Sequence, residues 1–379
     1  MPKILFFITE DWAFLSHRLP LARACREQGW SVVIATHVTD KADIILREGF
    51  ALEPLPLERG GMHPWREAKA LWALANSLRR QKPDILHCVA LKPVLYGNLI
   101  ARLLGQRATV SALAGMGHAF TNDSRRVGLL RRVLSASLRL LLRRPGHHLI
   151  VQNEDDRDLL HRIGAVGRDQ ITLIPGSGVD LAALACLPPP AGETVIFALV
   201  ARMLADKGVR EAVAAMRQLK SQGVAARLWL VGAPDPHNPS TIDVAELQDW
   251  VAEGAAEWLG HQSDIAEIWR QADVAVLPSY REGMPKALLE AAACGRPIIT
   301  TDVVGCRQVI EDGVEGFIVP ARQSEGLAAA MRRLAEDAAL RHRMGRAARA
   351  RAERLFGEER VVAAHLAIYR ALLGRPCAA

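Results

Sequence analysis

Short apolar runs alternate with helix-period patterns along most of the chain. An apolar run over residues 3–8 is followed by a helical pattern over 16–29 and a second apolar run over 31–36, which predicts a β-α-β unit. The alternation continues and then restarts near residue 194, with further strands predicted over 51–57, 84–88, 108–113, 148–151, 171–174, 194–200, 227–231, 257–259, 274–277, 297–300 and 316–319. We therefore expect an α/β protein with two doubly wound, Rossmann-like parallel-sheet domains.

The two series of elements are separated by residues 184–192, which contain three consecutive prolines and show no periodicity. Such composition is typical of a semi-rigid linker. It predicts an N-terminal domain over residues 1–183 and a second domain over 193–356, followed by a C-terminal segment over 357–379 that begins with a helix. Ligands of doubly wound sheets bind at the carboxyl ends of the strands, so the expected site is the cleft across which the two domains face each other.

Composition supports a folded chain. Of the 379 residues, 50% are apolar and 23% are charged, which excludes disordered and collagen-like classes.

The apolar runs are far shorter than the ~20 residues of a bilayer span, and the run after Lys3 is too short for a secretory signal. We expect a cytosolic protein. The six cysteines show no Cys-x-x-Cys pair, which predicts buried thiols rather than a zinc site or disulfides.

The net charge of +7 is unevenly distributed. Residues 1–150 contain 22 Lys and Arg against 11 Asp and Glu, whereas the remainder contain 26 against 30. A predicted helix within residues 125–144 is the most basic segment; its arginines are Arg125, Arg126, Arg131, Arg132, Arg139, Arg143 and Arg144, and no acidic residue occurs between Ser124 and Glu154.

Helical geometry gives this basic segment two sides. Arg131, Arg132, Arg139 and Arg143 fall within a sector about 120° wide, and the opposite side holds Leu130, Val133, Leu134, Leu138, Leu140 and Leu141. A solvated face of a core helix is the simpler alternative, but so many arginines without counter-charge favour docking to anionic lipid headgroups. Nucleic acid is not an expected partner, because aromatic interleaving and recognised reader modules are missing.

The most informative segment for chemistry covers residues 279–290, between a predicted strand and a helix. Pro285 can open that helix, because proline at the first helical position gives up only an N–H that would be unpaired anyway. The N–H groups of the first turn favour phosphate or another anion. Glu282 and Glu290 would flank that anion and are suited to binding hydroxyl groups, although ordinary solvated or capping acids would look the same in sequence.

A second segment, residues 201–208, also follows a predicted strand and precedes a helix. Arg202 and Lys207 would place two cations at the carboxyl edge of the sheet, which suits the charge of a departing diphosphate. By contrast, the acidic pair Asp156 and Asp158 lies in the first turn of a predicted helix capped by Asn153, where residues i and i+2 point apart and cannot chelate one ion. We predict no catalytic metal.

Taken together, the pattern R-x4-K-G over residues 202–208 and E-G-x-P-x4-E over 282–290 resembles the family 4 retaining glycosyltransferases of the GT-B fold. The segment 174–180 and the pair Gly260-His261 ahead of Asp264 extend the similarity over nearly the whole chain. The resemblance implies that Arg202 and Lys207 bind the donor diphosphate, Glu290 the ribose hydroxyls and Glu282 the sugar hydroxyls. It also implies that the backbone of Gly283, Met284, Pro285 and Lys286 contacts sugar and phosphate, that His261 lies near the base, and that the last helix returns to the first domain.

In the first domain, residues 9–20, 91–93 and 114–118 resemble family members that extend lipid-linked saccharides for surface polysaccharides. Two departures stand out. Trp12 and Phe14 replace a glycine pair found in many members, and the histidine expected near Gly115 is shifted to His118. His118 and Gly117 are candidates for contact with the transferred sugar. His17 could sense an acceptor phosphate, or act only as a helix-end or surface residue, and Lys92 could bind phosphate or be simply solvated.

The resemblance implies transfer, with retention, of a hexose or N-acetylhexosamine from a nucleotide diphosphate sugar, expected to be UDP-linked, to a lipid-diphosphate saccharide on the inner face of the cytoplasmic membrane. No cofactor besides this donor substrate is expected. The alternatives are a nucleotide-sugar epimerase on the same scaffold and a non-catalytic sugar-nucleotide binding protein. A Rossmann dehydrogenase is disfavoured because neither first βα turn carries G-x-G-x-x-G.

Overall fold

The structure of the protein is a computed structural model that describes residues 1–57, 63–113, 115, 125–186, 188, 192, 194–236 and 238–374, with the backbone alone described for 125–127. The chain forms two compact units. The first comprises Met1–Ser177 together with Glu359–Ala379, and the second comprises Gly178–Glu358.

Within the described residues, the first unit contains a seven-stranded parallel sheet in the order β3-β2-β1-β4-β5-β6-β7. Each strand lies where an apolar run predicted one, and the bounds are β1 Lys3–Glu10, β2 Ser31–His37, β3 Ala51–Pro54, β4 Ile85–Val89, β5 Ala108–Leu113, β6 His147–Val151 and β7 Ile171–Leu173. The central strands are buried on both faces, which explains why they read as continuous rather than alternating apolar runs.

The helices of the first unit are α1 Asp11–His17, α2 Leu19–Glu27, α3 Ala42–Arg47, α4 Pro64–Gln81, α5 Leu91–Leu103, α6 Arg125–Leu142, α7 Glu154–Arg162 and, at the C-terminus, α14 Glu358–Leu373. The single helix predicted over residues 16–29 is wrong. Two helices meet at Arg18, because Pro20 has no N–H to continue a helical ladder from α1. The short helix α3 was not predicted.

The helices cover the two faces of this sheet. The core on one side includes Leu74 of α4, Val94 of α5, Leu138 of α6 and Leu160 of α7. The core on the other side includes Phe14 of α1, Leu21 of α2 and Tyr369 of α14. The C-terminal helix is therefore an integral layer of the first unit.

A buried polar cluster also connects α14 to this sheet. The Tyr369 hydroxyl hydrogen-bonds Nδ1 of His87 on β4, and the rings of His87 and His365 stack with centroids 5.9 Å apart. Arg18 is only 3% exposed. Burial, reinforced by the nearby Arg18 charge, lowers the pKa of His87 well below its usual value and that of His365 to about 3. Both histidines are consequently neutral at physiological pH.

The second unit, over its described residues, contains a six-stranded parallel sheet in the order β10-β9-β8-β11-β12-β13. Its strands are β8 Val195–Val200, β9 Ala226–Val231, β10 Glu257–Gly260, β11 Val274–Leu277, β12 Ile298–Thr301 and β13 Gly316–Val319. Its helices are α8 Val209–Ser221, α9 Val244–Ala252, α10 Ile265–Gln271, α11 Lys286–Ala293, α12 Ser324–Glu336 and α13 Ala338–Leu355.

The division between the units falls between Ser177 and Gly178, whereas the first domain was expected to extend to residue 183. Backbone hydrogen bonds explain the difference. Val179 N–H donates to Phe356 O at 2.9 Å, and Glu358 N–H donates to Val179 O at 2.9 Å. Residues before the proline-rich segment are thereby joined to the end of α13.

The basic helix α6 differs from its predicted pattern. Leu134, Leu138 and Leu141 are buried as expected, but Leu130, Val133 and Leu140, assigned to the same apolar side, are 50%, 56% and 62% exposed. The apolar side thus divides into a stripe that contacts the sheet and a stripe that does not.

Arg144, just beyond α6, also departs from the expected lipid-facing role. Its guanidinium donates to Gln106 O at 2.9 Å and to Thr109 Oγ1 at 2.8 Å. Burial lowers its pKa. This arginine therefore binds residues around the start of β5 instead of extending the basic face.

None of the helices in the described ranges is long and apolar enough to cross a bilayer. Among the described cysteines, Cys25, Cys88, Cys294 and Cys306 are buried free thiols as predicted, but Cys186, in a segment without regular secondary structure, is exposed.

Candidate functional site

The predicted donor-binding segments lie side by side in the second unit. Strands β8 and β11 are hydrogen-bonded neighbours in the parallel sheet, so their carboxyl ends meet at one edge. The loop after β8 carries Arg202 and Lys207, and the loop after β11 carries residues 279–285. This edge is where doubly wound sheets bind ligands.

At the centre of this edge, Lys207 binds Glu282. The Lys207 Nζ to Glu282 Oε1 distance is 2.6 Å, and the two side chains are 16% and 13% exposed. The Ser279 hydroxyl donates to the same carboxylate oxygen at 2.8 Å. Sequence reasoning singled out both charged residues but not their contact, nor Ser279.

Two backbone close approaches hold these loops in place. Gly208, at φ +70°, lies so close to Pro278 that a Cβ would come within 2.2 Å of its carbonyl oxygen. Gly305 lies in the loop after β12, the next strand of the sheet, and has φ +83°. A Cβ at this position would lie 2.4 Å from Gly283 O and 2.6 Å from Glu282 O. Only glycine fits either position, and both positions fix the loop that carries Glu282.

Arg202 is paired with Asp235, a residue that sequence reasoning missed. The Arg202 Nη1 atom donates to Asp235 Oδ2, and the Asp235 side chain is 18% exposed. Asp235 lies in the loop after β9, the neighbour of β8, and its own N–H bonds to Thr241 Oγ1 at 2.9 Å. The sequence feature that could have indicated Asp235 is its position in a polar loop directly after an apolar strand.

The helix after the Glu282 loop begins at Lys286, one residue later than predicted. Pro285 is the N-cap, with φ −72° and ψ 109°, so the free N–H groups belong to the residues that follow it. No side chain caps this helix start. Gly283 and Met284 lie half-exposed immediately before it.

Glu290 lies one turn into α11. Its Oε1 is 3.6 Å from Lys286 Nζ, and its side chain is 13% exposed. Burial raises the pKa of Glu290, with Lys286 opposing the shift. Each of the two predicted carboxylates, Glu282 and Glu290, therefore has a lysine beside it at the same edge of the sheet.

His261 is exposed in the loop directly after β10, at the far side of the same carboxyl edge. Asp264, three residues later, caps α10 by accepting from Glu267 N–H at 3.1 Å. His118 and Gly117 lie outside the described residues.

In the first unit, the loop after β2 is held by the buried carboxylate of Asp11, the first residue of α1. It accepts hydrogen bonds from the Thr39 N–H at 2.7 Å, the Thr39 hydroxyl at 2.7 Å and the Lys41 N–H at 3.1 Å. The neighbouring Trp12 is 38% exposed, and its indole N–H donates to Glu10 Oε2 at 2.8 Å. In the sequence, Trp12 was recognised only as a departure from the glycine pair of many family members, and the role of Asp11 was missed.

The two phosphate-binding candidates of the first unit have protein partners. His17 Nδ1 lies 3.4 Å from Ser177 Oγ. Lys92 Nζ binds Glu67 Oε1 at 2.8 Å, with the Tyr96 hydroxyl on the other carboxylate oxygen at 2.7 Å. The Lys92 ammonium is therefore engaged in joining α5 to α4, contrary to the expectation of a simply solvated lysine.

The acidic segment at α7 behaves as a helix start. Asn153 Oδ1 accepts from the Asp156 N–H at 2.7 Å, and Asn153 Nδ2 donates to Asp156 Oδ2 at 2.8 Å. The capping interpretation is confirmed. Among the residues that the structure describes, no three histidine, cysteine or carboxylate side chains are grouped as a metal site would require.

Comparison with known proteins gives matches over both units. The family described as "Glycosyl transferases group 1" matches residues 194–337, and the family described as "Glycosyl transferase 4-like" matches residues 3–144. The chain is 26% identical over 348 residues to the N,N'-diacetylbacillosaminyl-diphospho-undecaprenol alpha-1,3-N-acetylgalactosaminyltransferase of Campylobacter jejuni, an alignment that covers 88% of this chain and 90% of that protein.

A second relative is the UDP-Gal:alpha-D-GlcNAc-diphosphoundecaprenol alpha-1,3-galactosyltransferase of Escherichia coli, 25% identical over 289 residues, with 73% of this chain and 72% of that protein covered. Among solved structures, the sucrose-phosphate synthase of Thermosynechococcus elongatus superposes with a TM-score of 0.79 at 21% identity, covering 98% of this chain and 99% of that one. The two parallel sheets, the motifs at the edge of the second sheet and these matches agree: the chain belongs to the family 4 glycosyltransferases of the GT-B fold.

Proposed function

We propose that the protein transfers a hexose or N-acetylhexosamine from a UDP-sugar to a lipid-diphosphate saccharide, with retention of configuration. The observation that carries the proposal is the Lys207–Glu282 pair at the carboxyl edge of β8 and β11, with Arg202 and Glu290 on the same edge. The two relatives named above support the acceptor class, and the name of the second includes a UDP-linked donor.

Lys207 and Arg202 are suited to the donor diphosphate. An ammonium has three N–H groups and a guanidinium five, so each side chain can keep its carboxylate partner and still donate to phosphate oxygens. The carboxylates Glu282 and Asp235 fix the two cations before the donor binds, which lowers the cost of ordering them. Charge-assisted hydrogen bonds of this kind are about twice as strong as neutral ones.

Glu282 and Glu290 are suited to hydroxyl groups. One oxygen of Glu282 accepts from Lys207 and Ser279, and a carboxylate has about four acceptor positions, so sugar hydroxyls can bind the remainder. We assign the donor sugar to Glu282 and the ribose to Glu290. We propose that His261, directly after β10, lies near the base.

The proposed catalysis depends mainly on electrostatic stabilisation of the leaving diphosphate. As the bond between the anomeric carbon and the diphosphate breaks, negative charge grows on the leaving group. Lys207, Arg202 and the free N–H groups after Pro285 stabilise that charge more strongly than the charge of the bound donor. The acceptor hydroxyl then forms the new bond to the anomeric carbon, and its proton leaves to a phosphate oxygen. No step requires a metal.

The acceptor is assigned to the first unit. His118 and Gly117 are proposed to contact the transferred sugar, and His17 to face the acceptor phosphates. A lipid-linked acceptor places the enzyme at the inner face of the cytoplasmic membrane, and the arginines of α6 provide attraction to anionic headgroups. We propose peripheral association of this kind.

A donor screen by thermal unfolding tests the proposal. A nucleotide sugar present at 100 times its dissociation constant stabilises the folded protein by ~2.7 kcal/mol. We expect this response from a UDP-sugar, and we expect it to be lost in the Lys207→Ala variant. Absence of any response to uridine or guanosine diphosphate sugars, with the protein folded, would exclude the proposal. Incubation with the responding donor alone, followed by sugar analysis, distinguishes transfer from epimerisation.

A further inference from the structure

Exposed apolar side chains are concentrated on three helices of the first unit. Of the fifteen large apolar side chains that are exposed within the described ranges, eight lie on α4, α5 and α6: Trp65, Trp72, Leu99, Leu103, Leu129, Leu130, Val133 and Leu140. Single exposed apolar residues are ordinary, but a cluster on adjacent helices indicates an interaction surface.

The three helices form one layer. They follow successive crossovers on the same face of the sheet, and side chains join neighbours in the row. Glu67 of α4 accepts from Lys92 and Tyr96 of α5 at 2.8 and 2.7 Å, and Arg102 of α5 donates to Leu140 O of α6 at 3.0 Å. Their inner sides bury a common core, so their exposed sides point away from the sheet together.

The charge of this layer has one sign. The sequences of α4, α5 and α6 contain eleven lysines and arginines and a single acid, Glu67. The Glu67 side chain is 15% exposed and is held by Lys92, so it adds little negative charge to the surface. Protein–protein interface cores are depleted of charged residues, whereas apolar residues mixed with arginine and lysine are typical of helices that lie in a membrane interface.

Trp65 and Trp72 are the largest exposed side chains of this layer. They are two turns apart on the same side of α4, and they are 81% and 68% exposed. An indole ring combines an apolar body with one N–H donor, which suits the boundary between headgroups and acyl chains. On α6, the exposed stripe of Leu129, Val133 and Leu140 lies beside Arg132 and Arg139, and Arg143 follows directly after the helix.

We propose that the outer surface of α4, α5 and α6 is a single docking face for an anionic lipid bilayer, with Trp65 and Trp72 inserted among the headgroups. This inference rests on the lipid-linked acceptor proposed above, and it extends the contact from the basic helix alone to a three-helix face. The arginines and lysines attract the protein to the surface, and the tryptophans and leucines hold it there.

Sedimentation with vesicles tests the docking face. Wild-type protein is mixed with vesicles of equimolar phosphatidylglycerol and phosphatidylcholine, and with vesicles of phosphatidylcholine alone. We expect binding only to the anionic vesicles, and a binding constant about tenfold or more lower for the double variant Trp65→Ala/Trp72→Ala. Lipids brominated on their acyl chains should quench part of the wild-type tryptophan fluorescence, and that part should be missing in the variant.

A matched control truncates two exposed apolar residues elsewhere. Val244→Ala/Val251→Ala on α9, both 44% exposed in the wild type, should bind the vesicles as wild type does. Equal vesicle binding by the tryptophan variant and this control would overturn the proposal. The proposal would also be overturned if the wild-type protein is a dimer that does not bind vesicles and the tryptophan variant is a monomer. The face would then be covered by a second copy of the chain.

The outcome is independent of the proposed reaction, because vesicle binding is measured without donor or acceptor. Loss of vesicle binding in the tryptophan variant, together with an intact thermal response to a UDP-sugar, supports both proposals. If no nucleotide sugar binds but vesicle binding still depends on Trp65 and Trp72, the function proposal fails and the docking face stands. If a UDP-sugar binds but vesicle binding does not depend on Trp65 and Trp72, only the docking-face proposal fails.

Discussion

Lys207 and Glu282 are 75 positions apart in the chain, and their side chains meet at 2.6 Å between the carboxyl ends of two adjacent strands. Each belongs to a different sequence motif. The contact therefore joins the two motifs into one site, in which an acid suited to sugar hydroxyls also holds a cation suited to phosphate.

Replacing Lys207 by alanine should remove this cation and leave Glu282 without its cationic partner. We expect kcat/KM for sugar transfer to fall by ~10²- to 10³-fold, the range found when one stabilising donor is removed from an active site. The loss of stability should be modest, because both side chains retain some solvent access. Steady-state transfer assays and thermal unfolding measure the two effects.

Arg210→Ala provides the control for that variant. Arg210 forms an ion pair with Glu246 on the second unit at 2.7 Å, but its side chain is 51% exposed and lies on α8. Exposed pairs contribute only ~0.2–1 kcal/mol, so transfer should be unaffected. A Lys207→Ala enzyme as active as Arg210→Ala would remove Lys207 from the site.

Asp235→Asn tests whether Asp235 positions Arg202. Loss of the carboxylate should free the Arg202 guanidinium to adopt other rotamers, which raises the cost of ordering it when the donor binds. We expect KM for the donor to rise severalfold with a smaller change in kcat. Arg202→Ala should lower kcat as well, because it removes the cation itself. Identical kinetic defects in the two variants would contradict a positioning role for Asp235.

The sequence predicted the strands of both sheets well, because buried parallel strands are continuous apolar runs bounded by turns. It failed at Arg18, where a proline two residues on divides one helical pattern into two helices. It also failed on α6, because periodicity separates arginine from leucine but does not tell how wide a stripe the neighbouring elements cover.

The candidate site divides in a similar way. The sequence motifs identify Arg202, Lys207 and Glu282, which lie after strands, and Glu290 in the helix that follows, as candidates. Asp235, Ser279 and Gly305 were missed, because their roles depend on which strands are neighbours in the sheet. Strand order is a long-range property, and the spacing of residues along the chain does not encode it.

Gly305 should be required at its position for reasons beyond its backbone angle. Gly305→Ala places a Cβ against the carbonyl oxygens of Glu282 and Gly283, at 2.6 and 2.4 Å. The Glu282 loop must shift, so transfer activity should fall by at least tenfold, and stability should fall by more than the ~1–2 kcal/mol of a left-handed alanine.

Gly313→Ala is the matched substitution, because Gly313 has φ +77° but nothing within 4 Å of the new Cβ. It should show the backbone strain without the displacement, and hence near-normal transfer. Comparable activities for the two alanine variants would indicate that the Glu282 loop tolerates the shift.

Glu290 should make stability depend on pH in a defined direction. Burial raises its pKa in the folded state above the usual value of 4.5, so the folded protein holds this proton more strongly than the unfolded chain. Protonated Glu290 therefore contributes to stability at pH values below its pKa in the unfolded chain. This contribution is lost as the pH rises through its pKa in the folded protein.

Glu290→Gln, which remains neutral, should therefore have a higher Tm than wild type at pH 7, and the difference should disappear as the pH approaches 4. The same variant should bind the UDP-sugar more weakly, because it loses the carboxylate that we propose as an acceptor for the ribose hydroxyls. Thermal unfolding across pH, without and with donor, measures both effects. A lower Tm than wild type at pH 7 would show that the Lys286 contact outweighs the cost of burying the charge.

Tyr369 should anchor the C-terminal helix to the first unit. Its hydroxyl is the hydrogen-bond partner of His87 Nδ1, and His87 Nε2 is already a buried nitrogen without a partner. Tyr369→Phe would leave neither ring nitrogen of His87 bonded, at a cost of ~1–3 kcal/mol. Tyr96→Phe removes a half-buried hydroxyl from Glu67, which keeps Lys92, so its cost should be smaller. Urea unfolding compares the two variants, and equal stabilities would mean that the His87 contact contributes nothing beyond an ordinary hydroxyl.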